Sequence, residues 1–184
     1  YLFDNGVSPF VSYSESFLPL AGTDANRKPF EPSTGKQYEV GVKFQPPGQK
    51  SFIQASVYQL DQENVLTTNP VDTTFSTQSG ALRSRGVELE AKAVVSDAWE
   101  VVASAARNDV KYTKDNDGRQ GRHPAGISPL TASMWVNYTV LGDTPLAGLG
   151  AGLGVRYARQ SLGDDYEGAF NVPSYSVYDA SLSY

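Results

Sequence analysis

The chemistry-bearing residues of this chain are few. His123 is its single histidine and cysteine is absent, so a histidine metal cluster, a thiolate site and a disulfide framework are all excluded. His123 lies in a polar stretch beside Arg119 and Arg122, the setting of a solvated surface side chain. Asp115-Asn116-Asp117-Gly118 opens like a calcium loop, in which alternate carboxylates converge on one hard cation. The later ligands and the closing Glu are missing, and Asp-Gly more often marks a turn. Asn137-Tyr138-Thr139 matches a glycosylation sequon but falls inside a predicted strand. No nucleophile motif is present and the one histidine has no Ser–Asp partnership at a recognisable spacing. These residues support no catalysis, and the chain is not read as an enzyme.

Two other groups are candidates for contact rather than chemistry. Phe30, Phe75, Tyr112, Arg119, Tyr166 and Phe170 lie in or beside long polar connections. Ring faces with a nearby cation can hold a bulky ligand by stacking and charge; the plain alternative is packing within the loops. Gly148, Gly150, Gly152 and Gly154, followed by Arg156, alternate along one face of a strand. Strict spacing by two, with no helix following, is not a dinucleotide fingerprint. Glycine weakens a strand unless something approaches closely, so either another protein element packs there or the glycines set curvature.

The elements that position these residues are strands. Tyr, Phe, Gly and Pro are abundant, at 11, 8, 17 and 11, a mixture of strand formers and turn residues. Eight period-2 segments are predicted, over about 7–17, 37–44, 52–61, 85–93, 99–108, 130–138, 149–157 and 178–184. Val7, Pro9, Val11, Tyr13 and Phe17 oppose serines; Tyr38, Val40, Val42 and Phe44 oppose Gln37, Glu39, Gly41 and Lys43. Val87, Leu89, Ala91 and Ala93 oppose Glu88, Glu90 and Lys92, and Leu153, Val155 and Tyr157 oppose glycines and Arg156. In the third segment the facing is open, since both Ile53/Ala55/Val57 and Phe52/Tyr58/Leu60 qualify. Connections alternate long and short, the asymmetry of a membrane barrel with long outer loops and short inner turns. Each segment is near the nine to eleven residues that cross a bilayer at a tilt of about 45°.

Several broad classes fall away on charge and hydropathy. A formal net charge of −5 disfavours nucleic acid as a partner, because phosphate binding wants a concentrated basic surface. Mean hydropathy is mildly negative, and no run of about 18 apolar residues exists to form a transmembrane helix. A membrane barrel needs no such run. The apolar faces carry no charge at their centres; Glu15 and Arg107 fall on them only at the loop ends. Aromatics gather at strand ends, at Phe17, Tyr38, Phe44, Trp99, Tyr138, Tyr157 and Tyr184, where amphipathic rings suit the membrane interface. Glu39, Lys43, Glu88, Glu90, Lys92, Glu100 and Arg156 face the other way, into a wet or polar-filled lumen. The fold class is therefore all-β, a transmembrane antiparallel up-and-down barrel.

Four ordered blocks then carry a resemblance: F-V-S-Y-S-E-S-F, G-K-Q-Y-E-V-G-V-K, R-S-R-G-V-E-L-E-A-K and S-Y-S-V-Y-D-A-S-L-S-Y, with Y-L-F-D-N-G-V-S-P-F at the start. Together they resemble the barrel of TonB-dependent siderophore receptors, in particular the ferrichrome (hydroxamate) branch, over the whole span 1–184. The resemblance implies a barrel of about 22 strands filled by an N-terminal plug. It implies a ferric siderophore as transported ligand, the TonB complex as energy source, and lipopolysaccharide and outer-membrane lipid outside. No plug and no TonB-contacting box is found in these residues, so 1–184 is expected to be a partial barrel domain, late and internal, with plug and last strands elsewhere. Beginning at Tyr1 without Met or signal peptide agrees with that expectation. The glycine stripe with Arg156 then reads as a surface facing the plug, and the loop aromatics with Arg119 as grips for the iron chelate. Competing readings are a complete eight-stranded barrel with a structural or adhesive role, a passive porin, and a soluble lipocalin-like carrier with its apolar face turned inward.

Overall fold

The computed structural model describes residues 3–165 and 168–184. Eight long strands form one antiparallel sheet: β1 (Val7–Leu18), β2 (Ser33–Phe44), β3 (Phe52–Thr68), β4 (Ser76–Val94), β5 (Trp99–Lys114), β6 (Leu130–Thr139), β7 (Gly150–Ala158) and, last in the chain, β10 (Tyr175–Ser183). A two-residue pair, β8 (Ser161–Leu162) with β9 (Asn171–Val172), sits apart in the final loop. Spatial order follows chain order, β1-β2-β3-β4-β5-β6-β7-β10. Among the described residues β1 pairs only with β2 and β10 only with β7, so the sheet is a barrel wall with two open edges. A closed eight-stranded barrel would need a β1–β10 ladder, and none is present among the described residues.

Register decides which side chains share a face, because side chains directly opposite each other point the same way. Val11, Val40, Val57 and Val87 form one such row, and Pro9, Val42, Ala55, Leu89, Ala105, Ala132 and Tyr157 the next. The ambiguous third strand is thereby settled: Ile53, Ala55 and Val57 join the apolar face, and Phe52, Tyr58 and Leu60 join the polar one. This apolar face is uncovered. Val40 and Val87 are each 53% exposed and Leu153 68%, while Ala81, Tyr112 and Pro124 are the only apolar side chains buried among the described residues. A water-soluble domain of this size would hide such side chains in a core; here hydrocarbon must cover them. Tyr13 packs on Tyr38 near the loop end, at 5.0 Å between ring centroids, and Trp99 on Tyr138 at the turn end, at 4.7 Å. The apolar band thus has an aromatic pair at each border.

The strands run further than their apolar alternation. β3 and β4 continue to Thr68 and back from Ser76, leaving a tip of only 69–75 where a long polar connection over about 62–82 is expected from the sequence. β2 begins at Ser33 and β5 continues to Lys114. Above the bilayer both faces meet water, so hydrogen bonding rather than apolar periodicity holds the ladder. Thr67 and Ser79 join hydroxyls at 2.9 Å, and Ser33 donates to the Glu63 carbonyl at 2.8 Å. Register shifts near Val65 and a left-handed Asn64 (φ 59°) mark the bulges that bend this hairpin. Strict alternation of long and short connections therefore fails once, because a tall hairpin takes the place of a loop.

Candidate functional site: the loop rim and the lumenal wall

At the loop end the best-built cluster centres on Arg119. The chain leaves β5 into Asp115, whose Oδ2 accepts the backbone N–H groups of Asp117 and Arg119, both at 2.8 Å. This tight turn needs Gly118 in a left-handed conformation (φ 75°) and carries the Arg119 guanidinium back over the turn. Arg119 donates to Asp115 Oδ1 at 2.7 and 3.1 Å, to Asp117 at 2.9 Å and to Asp165, in the last loop, at 3.3 Å. Its guanidinium carbon stands 4.7 Å from the Tyr112 ring centre, and the Tyr112 hydroxyl donates to Asp165 at 2.7 Å. The Ala125 amide donates to the other Asp165 oxygen. The calcium-like Asp115-x-Asp117 spacing thus holds a resident cation of its own, the guanidinium of Arg119.

Electrostatics follow from this packing. Burial alone would raise the Asp115 carboxyl, but hydrogen bonds from Arg119 and from the Arg119 and Asp117 amides outweigh it, and its pKa falls below the ordinary value. Burial pushes the Tyr112 phenol up to about 12, helped by its bond to the Asp165 carboxylate.

This cluster is one knot in a chain of ties between loops. Asn116 donates to Ser79 Oγ at 2.5 Å and to the Thr68 carbonyl at 3.4 Å, fastening the 115–129 loop to the tall β3–β4 hairpin. Gln78 of that hairpin accepts from the Glu31 amide at 2.7 Å and donates to the Glu31 carbonyl at 2.5 Å, fastening the 19–32 loop. Asn64 donates to the Pro32 carbonyl at 3.1 Å, and Gly126 N–H bonds the Leu162 carbonyl at 2.8 Å. The outer connections form a continuous rim.

The ligand-contact residues proposed from sequence fall at different places on it. Tyr112 and Arg119 come together, with their polar groups engaged inside the rim. Phe30 is half-buried against Gly22 in the first loop, Phe75 stands at the hairpin tip, and Phe170 is exposed with its ring over Gly163. Tyr166 lies outside the described residues. Asp165, which joins two loops, was invisible to sequence reasoning: it lies 46 residues from Arg119 and nothing local marks it.

On the lumenal face, Gly150, Gly152 and Gly154 do form a stripe along β7, whereas Gly148 lies in the preceding turn with φ 90°, outside the strand. The ring of Trp135, from neighbouring β6, lies across Gly152 and Gly154; a Cβ at either would collide with it. Ser181 and Ser183 of β10 approach Gly152 and Gly150 from the other side. Phe10 lies over Gly41 and Tyr58 over Gly86 in the same manner. The close approach inferred from the glycines is therefore met first by an aromatic side chain of the adjacent strand. Arg156 is paired with Asp179 at 3.0 and 3.1 Å, and Lys92 with Glu100 at 2.8 Å.

A family model for the TonB-dependent receptor-like β-barrel matches residues 1–184. The chain belongs to that family. Over 184 residues it is 45% identical to the ferrichrome outer membrane transporter/phage receptor of Escherichia coli K12, spanning all of this chain and 24% of that protein. It is 38% identical to the ferrioxamine receptor of Yersinia enterocolitica over 182 residues, 99% of this chain and 25% of that one. Among solved structures, the siderophore receptor PiuA of Acinetobacter baumannii superposes with a TM-score of 0.78 at 23% identity, over 98% of this chain and 28% of PiuA. The ferric yersiniabactin uptake receptor FyuA of Yersinia pestis gives 0.77 at 19% identity, over 99% of this chain and 28% of FyuA. The two structural likenesses fix the fold alone: an outer-membrane receptor barrel, of which these strands are one arc. The chain spans about a quarter of the length of the curated relatives it matches. Its place is the outer membrane, and its family is one of receptors and transporters.

Proposed function

We propose that this chain is part of the barrel wall of a receptor that imports ferric siderophores, of the hydroxamate type, with energy delivered through TonB. The observation that carries the reading is the whole-span family match joined to substantial identity with two receptors named for hydroxamate chelates. The ferric chelate is cargo, and the chain needs no resident cofactor and performs no catalysis. A partial-barrel domain over 1–184 follows, with plug and closing strands supplied by the rest of the longer protein.

The geometry supports a division of labour along the wall. The ordered rim frames the mouth, where Phe75 and Phe170 present exposed rings for stacking on a chelate. Tyr112 and Arg119, locked to Asp165, hold the loops that carry such contacts, and Phe30 supports the first loop from within; Tyr166, four residues before Phe170 in the sequence, is a further candidate. Below the rim the lumenal wall beside Gly150, Gly152 and Gly154 is lined by small and flat groups, with Arg156 next to it, a surface suited to a plug. The outward face takes outer-membrane lipid, lipopolysaccharide included.

The test is growth. The full-length receptor is expressed in an iron-starved bacterium lacking its own hydroxamate receptors and supplied with ferric ferrichrome or ferrioxamine. Growth that disappears when TonB is deleted is the expected result. A receptor that reaches the outer membrane yet restores growth on neither chelate refutes the reading.

A further inference from the structure

The ladder on the β6 side of β5 breaks at one place and leaves a hollow there. Arg107 pairs with Leu130, and the Asn108 amide donates to the Pro129 carbonyl at 3.1 Å. Bonding to the returning chain resumes at Tyr112, whose amide donates to the Arg122 carbonyl at 3.1 Å. Pro124 and Pro129 have no N–H to offer a neighbouring strand, so no ladder forms between them. His123 takes over one lost bond, its Nδ1 donating to the Val110 carbonyl at 2.9 Å. What remains is a cavity of about 210 Å³ with Asn108 and Val110 of β5 on one side. Pro124, Ile127 and Pro129 form a second wall, and Leu162 of β8 with Asn171 of β9 a third.

One atom of this cavity is left without a partner. Asn108 Oδ1 is fully buried and no donor among the described residues reaches it. A buried acceptor in that state is costly until a water or a ligand donates to it. At about 30 Å³ per water the space equals about seven waters, or an organic molecule of about eight non-hydrogen atoms. Val110, Pro124, Ile127, Pro129 and Leu162 give most of those waters too few polar partners, which favours the organic occupant. Among the described residues no carboxylate, ammonium or guanidinium lines the cavity, so a charged occupant would go uncompensated. No aromatic ring other than the His123 imidazole lines it either, so the walls suit alkyl groups rather than a stacked ring.

We propose that this cavity is a binding site for a small uncharged aliphatic amide, whose N–H donates to Asn108 Oδ1 and whose alkyl flanks lie against Ile127, Pro124 and Leu162. The occupant touches both sides of the seam that Asp165 closes, because Ile127 follows the Ala125 amide held by Asp165, and Leu162 bonds the Gly126 amide at 2.8 Å. Binding therefore tightens the same joint as the Arg119 cluster, and the coupling is reciprocal. The site does not rest on the transport reading.

The experiment uses full-length receptor in detergent micelles. The probe is N-isopropylpropanamide, and the control is isopropyl propanoate, an ester of the same shape without the N–H. The isotope-labelled δ-methyl resonance of Ile127, assigned by its loss in Ile127→Val, is followed on titration, with partition into empty micelles subtracted. Saturable movement is expected, with the amide bound about 10-fold more tightly than the ester. Asn108→Leu should bring the two to within about twofold, a change of preference that altered shape alone does not produce. Bound amide should also slow hydrogen exchange at Ala125 and Gly126, and should leave it unchanged in Ile127→Trp, which fills the cavity. No saturable movement in the parent, or amide and ester bound equally by it, would overturn the site, and that comparison needs no variant to fold. Growth on ferric hydroxamates reads the transport proposal separately, since neither probe carries iron.

Discussion

Replacing Arg119 by Met keeps much of the side chain's bulk but removes the cation that three carboxylates share. Asp115 would be left wholly hidden with two backbone amides as partners, and Asp117 and Asp165, only 22% and 19% exposed, would face each other unneutralised. Breaking a buried ion pair from one side costs about 3–5 kcal/mol, and the partial exposure of two partners places this case near the lower figure. About 3 kcal/mol is roughly a hundredfold in a local opening equilibrium. In the full-length receptor, amide hydrogen exchange of Asp117, Arg119, Ala125 and Gly126 should accelerate by about that factor, while ladder amides of β2 and β3 within the membrane stay protected. Asp165→Asn should cost about 1 kcal/mol, and the double variant less than the sum of the two. Acid should mimic the lesion. The Asp115 pKa is depressed in the folded rim, so its stabilisation is complete above the ordinary carboxylate value near about 4 and fades as pH falls through the folded value. Asp115→Asn should remove that acid sensitivity. Unchanged exchange in Arg119→Met would refute the argument that this cluster holds the loops.

Other outcomes follow from the two faces and the rim. Leu89→Arg, on the lipid side in the middle of β4, should destabilise the folded barrel by about 2–4 kcal/mol in lipid vesicles, whereas neighbouring lumenal Glu88→Gln should change it by under about 1 kcal/mol. Gly152→Val should cost about 1–3 kcal/mol by collision with Trp135, seen as a lower heat-modifiability midpoint on gels, and Trp135→Ala in the same chain should recover most of it. Tyr112→Phe should weaken loop protection by about 1–2 kcal/mol, because the Asp165 oxygen loses its 2.7 Å hydroxyl donor and keeps only the longer bond from Arg119, at 3.3 Å. Because the folded Tyr112 phenol is raised to about 12, its contribution is full below the ordinary value of about 10 and lost as pH climbs through the folded one. A difference titration of phenolate absorbance between parent and Tyr112→Phe should therefore find one tyrosine with its midpoint near about 12.

What the chain's residues disclosed in advance was whatever period-2 alternation encodes. Val40, Val87 and Leu153 sit on an uncovered apolar face because their neighbours Glu39, Glu88 and Gly154 alternate with them without a break. Alternation is silent where water bathes both faces, and there the sequence reading stopped short: β3 through Thr68 and β4 from Ser76 are held by hydroxyl and amide bonds with no apolar signature. The facing of β3 needed its partners, since Ile53 and Phe52 are equally apolar and only the pairing with Phe44 and Lys92 separates them. Aromatic-over-glycine pairs were half visible: the glycines showed on β7, but Trp135 is on another strand, and only register places it above them. Asp165 was beyond reach for the same reason, a partner brought in by topology rather than spacing.

The seams between the outer connections bear on how such receptors exchange parts. Gln78 is stitched to one neighbour and Asn116 to the other side of the same hairpin, while Asp165 closes the next gap. Transplanting any single connection from a relative would cut two seams and leave stranded carboxylates and amides behind. The portable unit is a connection together with the flank of the hairpin it leans on, and chimaeras cut along those lines should fold where single-loop swaps fail.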